Sequence, residues 1–229
     1  MGDPTKFQWI MEYYTFNVFL LLLVISEVFI FFYTHSGVEK NKNTDKDLGT
    51  KWLLCINYVI CIITSFLCVS HRSPSFIKNA VLPHFCTEIG LLFMIGGVCI
   101  RMGAVLTLKR AFTLNVQIRK EQQLITWGIY KFVRHPAYTG SVCSLLGISM
   151  ALRSIFAMVI ALFLSLICYQ IRISVEEKVL QKNFEEYQAY KERTYKLFPY
   201  IYVGNNSYKI TDLYVESNYF KAVCANFEK

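Results

Sequence analysis

Two short stretches of this chain combine residue types at spacings that can do chemistry. The first is Gly128-Ile129-Tyr130-Lys131-Phe132-Val133-Arg134-His135-Pro136-Ala137-Tyr138-Thr139-Gly140. Pro136 disfavours helix at His135 and favours helix initiation just after it. The stretch therefore predicts a loop that turns into a helix, with backbone N–H groups left free at its start. Such a helix end suits an anionic group, and Tyr130, His135 and Tyr138 could surround a nucleoside with donors and ring faces. On composition alone, the same residues serve as well for an aromatic and basic anchor at lipid headgroups. The second stretch is Arg172-Ile173-Ser174-Val175-Glu176-Glu177. Arg172 and Glu176 are four apart and share a helical face. They read either as a surface ion pair or as a cation and an anion at the mouth of one cavity.

The elements that must position these residues are membrane helices. Of the 229 residues 54% are hydrophobic and only 17% charged, against about a quarter charged in a soluble domain. The apolar residues cluster in runs near the thickness of a bilayer core, where only helices or closed barrels satisfy the backbone. No alternating pattern of barrel strands is present. Five runs qualify: Tyr14 to Tyr33, Trp52 to Val69, Phe85 to Leu108, Tyr138 to Leu152, and Ser154 to Ile173. The fourth is short and reads as a thin or re-entrant hairpin arm, joined through Arg153 to the fifth. The first has no basic flank ahead of it and is too long for a signal peptide, so it is expected to stay as an anchor. The predicted fold is all-α, a polytopic bundle of about five transmembrane helices. Residues 1–84 form a two-span scaffold, 85–202 a core carrying the chemistry, and 203–229 a polar, aromatic tail.

A net charge of +8 would suggest nucleic acid in a soluble protein. Its placement here says otherwise. With five spans, nineteen of the 24 Lys and Arg fall on one side of the membrane, which the positive-inside rule makes the cytoplasm. Both chemical stretches then face the cytoplasm, as does the sequon Asn205-Asn206-Ser207, which should stay unmodified there. Glu27 and Arg101 lie inside spans at similar depth, where a charge is costly unless paired or wetted. Either they pair, clamping the first span to the catalytic half, or Arg101 snorkels or lines a cavity. The eight cysteines show no metal spacing and read as small buried apolar residues.

Taken together, Gln117, Gln122-Gln123-Leu124-Ile125, Gly128-x-Tyr130, Arg134-His135-Pro136-x-Tyr138-x-Gly140, Arg172-x3-Glu176-Glu177 and Glu185-Glu186-Tyr187-x2-Tyr190…Leu197-Phe198-Pro199 form one pattern. It resembles the isoprenylcysteine carboxyl methyltransferase family over about residues 88–202. The resemblance implies methylation of the terminal carboxylate of prenylated cysteine in processed protein C-termini, with S-adenosylmethionine as methyl donor. The cofactor pocket would face the cytoplasm, in the endoplasmic reticulum membrane. Gln117, Gln122, Gln123, Leu124, Ile125, Tyr130, His135, Pro136, Ala137, Tyr138 and Glu176 match positions that hold the cofactor. Arg172 matches the position that meets the substrate, whose partners are farnesyl or geranylgeranyl chains and the bilayer itself. Arg172 and Glu176 are the implied catalytic pair, and no metal is implied. The chain carries no Gly-rich strand-to-helix turn of the Rossmann type.

Two other enzyme classes share part of this pattern. A phospholipid N-methyltransferase would need to deprotonate an ammonium and would favour acidic groups at its substrate site; Arg172 favours a carboxylate instead. A sterol reductase carries a similar Arg-His-Pro segment on a longer chain with more spans.

Overall fold

The computed structural model describes residues 7, 9–35, 50–108 and 124–199. Among the described residues seven α-helices run in chain order: α1 (Ile10–His35), α2 (Thr50–Val69), α3 (Ser75–Asn79), α4 (Phe85–Leu108), α5 (Pro136–Ala151), α6 (Ile155–Asn183) and α7 (Tyr187–Glu192), with a 3-10 turn over Gly128–Lys131 before α5. Among the described residues β-pairing is confined to two isolated bridges, Val81 with Ser154 and Val133 with Tyr195. These mark opposite ends of the bundle. The first pins the α5–α6 turn to the loop before α4, and the second lies beside the start of α5.

Helices α1, α2, α4 and α6 are long and apolar enough to cross a membrane. Their outward faces carry large bare apolar side chains such as Leu21, Ile56, Leu92 and Phe163, as expected where lipid is the solvent. The protein is an integral membrane protein. The fourth predicted span differs from the rest: α5 has 16 residues, and 13 of them are buried. It is walled in by α4 on one side and α6 on another, so its apolar residues face protein rather than lipid. Its turn into α6 is built by Arg153, in left-handed backbone at φ 57°. The Arg153 Nε donates to the Leu82 carbonyl at 2.7 Å, and Ser154 then caps α6 by accepting from the Ala157 amide.

The α4–α5 seam is the most extensive helix contact in the bundle, and small residues create it. A Cβ on Gly140 would sit 2.6 Å from the Gly97 carbonyl oxygen and 2.7 Å from the Arg101 amide, and one on Gly147 would meet the Met94 amide at 2.6 Å. Backbones this close gain dispersion contacts where no hydrophobic drive separates helix from lipid. Farther in, Phe16, Leu23, Met94, Leu145, Ile148 and Ala161 join α1, α4, α5 and α6 in one apolar cluster.

The two charges inside the spans meet. Arg101 Nη2 donates to Glu27 Oε2 at 2.8 Å, while Nε lies 2.6 Å from Oε1. Of the two sequence readings, pairing is the one observed, and it ties α1 to α4. The cysteines divide: Cys61, Cys86 and Cys168 are buried, whereas Cys55 and Cys99 lie on exposed faces.

Overpacking the seam should therefore cost far more than filling an open glycine site. Gly147→Ala is expected to lose about 1–3 kcal/mol. Gly96→Ala, with nothing within 4 Å of its Cβ position, should be neutral or gain up to about 1 kcal/mol from helix propensity. Thermal unfolding of both variants in one detergent compares them directly.

Candidate active site

Pro136 occupies the first position of α5, with His135 as the preceding cap residue at φ −125° and ψ 58°. This is the loop-to-helix change that a proline imposes. The incoming segment is held from the other side by the segment after α7. The Arg134 amide donates to the Tyr195 carbonyl (2.8 Å), the His135 amide to the Lys196 carbonyl (3.2 Å), and the Tyr195 amide returns to the Phe132 carbonyl (2.9 Å). The Thr139 hydroxyl donates to the Leu197 carbonyl at 2.5 Å. The start of α5 is thus fixed by backbone hydrogen bonds rather than by burial alone.

The last turns of α6 bring the acidic pair to this point. Glu176 Oε2 accepts from the Tyr138 hydroxyl at 2.9 Å and lies 3.8 Å from His135 Nδ1. Arg172, one turn earlier and buried, directs its Nε to the same Tyr138 oxygen at 3.3 Å. Tyr138 is therefore the shared partner of both predicted catalytic residues. Its ring stacks on His135 (5.8 Å between centroids) and on Tyr169 (5.2 Å). Glu177 turns the other way. Its Oε1 is 3.2 Å from Arg134 Nε and 3.4 Å from His135 Nε2, and its Oε2 is 3.7 Å from Lys191 Nζ. Arg134 also donates to the carbonyls of Lys191 (2.8 Å) and Thr194. One carboxylate so gathers the loop, α6 and α7.

Beside these pairs opens a small cleft lined by Leu108, Leu124, Ile125, Tyr130, Arg134, His135, Leu180, Phe184, Tyr187 and Tyr190. Its apolar and aromatic lining with a few polar groups is of the kind that holds small ligands. Of the lining residues, Tyr130 packs against Ala104 and Ala137, and the Tyr190 hydroxyl donates to the Tyr130 carbonyl at 2.8 Å. Burial pushes the phenols of Tyr130, Tyr187 and Tyr190 above the ordinary tyrosine range, so all three stay neutral hydrogen-bonding groups.

Leu124, Ile125, Tyr130 and His135 line the cleft. Pro136 and Ala137 form the buried first turn of α5 beneath it. Glu176, Tyr138 and Arg172 stand on the far side of His135, which touches both regions. Gln117, Gln122 and Gln123 lie outside the described residues. Sequence reasoning did not single out Arg134, Leu180, Phe184, Tyr187 and Tyr190 as lining residues. A signal was present for the α6 wall, since positions 177, 180 and 184 fall on one helical face.

Residues 85–187 match the phospholipid methyltransferase family. A rice (Oryza sativa subsp. indica) protein named "Probable protein-S-isoprenylcysteine O-methyltransferase" is 30% identical over 157 residues, covering 67% of this chain and 81% of its own. The chain belongs to the isoprenylcysteine carboxyl methyltransferase family. The Saccharomyces cerevisiae protein-S-isoprenylcysteine O-methyltransferase is 27% identical, covering 81% of this chain and 80% of its own. Among solved structures, a eukaryotic intramembrane Ras methyltransferase, isoprenylcysteine carboxyl methyltransferase, superposes with a TM-score of 0.53 at 26% identity. That match covers 65% of this chain and 52% of the other, so the chain spans about half the length of that solved relative. Within this family member, the matched segment contains both the Arg-His-Pro turn and the acidic pair.

Removing Glu177 should strand Arg134 in a buried setting. Glu177→Ala is expected to destabilise the protein by about 3 kcal/mol. An added Arg134→Met should recover part of that loss, because the pair then leaves no orphaned charge. Denaturant titration of the single and double variants measures both effects.

Proposed function

We propose that the protein methylates the terminal carboxylate of prenylated cysteine, using S-adenosylmethionine held in the cleft beside His135. The observation that carries this reading is the meeting of the Arg-His-Pro turn and the α6 end at Tyr138, where Glu176 and Arg172 lie 2.9 and 3.3 Å from one hydroxyl. The lining supports a nucleoside-bearing ligand. Tyr130, Phe184, Tyr187 and Tyr190 offer ring faces, and the buried Tyr187 hydroxyl has no hydrogen-bond partner among the described residues. Leu124, Ile125, Tyr130 and His135 would hold the cofactor directly. Tyr138 and Glu176 would hold its polar end, with Pro136 and Ala137 shaping the turn beneath, and Gln117, Gln122 and Gln123 complete the proposed set.

S-adenosylmethionine supplies, when bound, a sulfonium methyl carbon open to a carboxylate oxygen, the C–S bonding pair leaving on sulfur as a thioether. A terminal carboxylate is already ionised near pH 7, so no side chain has to act as a general base. Arg172 orients the substrate carboxylate by charge-assisted hydrogen bonding. Its burial at the rim of the bundle strips water from that carboxylate, whose weakness as a nucleophile is largely solvation. The prenyl chain accounts for the membrane setting, since each buried CH₂ favours lipid by about 0.8 kcal/mol. The site faces the cytoplasm in this reading, following the distribution of Lys and Arg, with the endoplasmic reticulum as the membrane and farnesyl or geranylgeranyl proteins as partners.

The match to the phospholipid methyltransferase family favours a second reading, N-methylation of an amine lipid. The buried cation Arg172 opposes it, because an ammonium substrate calls for an acidic site. Purified protein offered labelled S-adenosylmethionine, a farnesylcysteine analogue and phosphatidylethanolamine decides between them. Label in a base-labile ester is the expected result, and label in a base-stable N-methyl lipid replaces it with the second reading. In the same assay, Arg172→Leu should raise KM for the prenylcysteine by on the order of tenfold to a hundredfold, equivalent to one charge-assisted hydrogen bond. S-adenosylhomocysteine affinity should change far less.

A further inference from the structure

We infer that Arg101, held by Glu27, is a positioning residue for methyl transfer, acting through the first turn of α5. Arg101 is buried in α4 and lies under the candidate site rather than in it. Its Nη1 donates to Ser141 Oγ at 2.7 Å and to the Ala137 carbonyl at 3.3 Å. Ser141 Oγ donates in turn to that same carbonyl at 3.0 Å. Two side chains, themselves hydrogen-bonded to each other, therefore converge on the carbonyl of the residue immediately before Tyr138. The main chain is pinned as well, because the Gly140 Cα side lies directly on the Arg101 backbone.

The guanidinium has little freedom to leave this place. Glu27 engages it through Nη2 and Nε, and the Tyr58 ring lies 5.6 Å from its central carbon. Helices α1 and α2 thereby grip one face of a planar fork whose other face grips α5. Arg is suited to this and Lys is not, since only the fork can satisfy a carboxylate and two further acceptors at fixed angles. Tyr138 is the site's shared partner for Arg172 and Glu176, so a shift of this turn displaces Tyr138 from both of those groups on α6. The helices that carry no motif are in this way part of the apparatus that sets reacting geometry.

This inference rests on the methyltransferase reading, and its test separates the two. Arg101→Lys keeps the charge opposite Glu27 but loses the fork, and Ser141→Ala keeps the ion pair but loses one contact to α5. Both should fold, with thermal midpoints close to the wild type. In both, kcat for esterification of a farnesylcysteine analogue should fall about tenfold or more, as expected for displaced reacting groups, with KM changed less. The exchanged pair Glu27→Arg with Arg101→Glu should regain stability lost in Glu27→Arg alone, yet not kcat, because a carboxylate cannot donate to Ala137 or Ser141. Folded Arg101→Lys and Ser141→Ala proteins with wild-type kcat would overturn the inference and leave the activity intact. A wild-type protein that forms no ester overturns the activity instead. The positioning claim is then read from amide hydrogen exchange over residues 137–141, which must accelerate in Arg101→Lys; unchanged exchange sinks it.

Discussion

Glu177 is the fixed point around which the candidate site is assembled. A carboxylate this well covered persists as an anion only with cations and donors around it, and Arg134 and His135 supply them from the loop before α5 and Lys191 from α7. Because Arg134 also reaches the carbonyls of Lys191 at the end of α7 and Thr194 just after it, the same carboxylate fixes the segment that hydrogen-bonds the start of α5. The neighbouring Glu176 is consequently delivered to Tyr138 without being responsible for the scaffold. Adjacent acidic residues on one helix end thus divide the labour, one toward architecture and one toward the site.

Below this layer the bundle solves a different problem. Lipid gives helices no hydrophobic reason to associate, so close backbone contact and internal polar pairs hold them together. Gly97, Gly140 and Gly147 provide the first along α4 and α5. Glu27 and Arg101 provide the second, linking α1 to the same two helices through Ser141 and Ala137. An unpaired Arg101 at that depth would be costly, so retention of the residue requires its partner.

Much of this was legible in the sequence, for reasons specific to particular residues. Long apolar runs declare themselves by length alone, and Pro136 announces the start of α5 because its ring permits little else there. The spacing of Arg172 and Glu176 fixes their common face on any helix. What the sequence withheld were the non-local facts. Whether Glu27 meets Arg101 depends on how α1 packs on α4, which a separation of 74 positions along the chain does not encode locally. The split between Glu176 and Glu177 depends on which side of α6 meets the loop, and both positions look alike in the chain. The α7 tyrosines belong to the cleft only because the backbone after them returns to pair with Val133. The fourth span was visible as a short run, but its enclosure by α4 and α6 was not, since periodicity cannot distinguish lipid from protein as the neighbour of an apolar face.

The glycine seam also determines where the bundle can breathe. Helices whose main chains already touch have no slack for sliding or rotation, so α4 and α5 behave as a single rigid beam. The remaining helices meet this beam through side chains, and α6 does so at Tyr138, where Arg172 and Glu176 reach it across the gap.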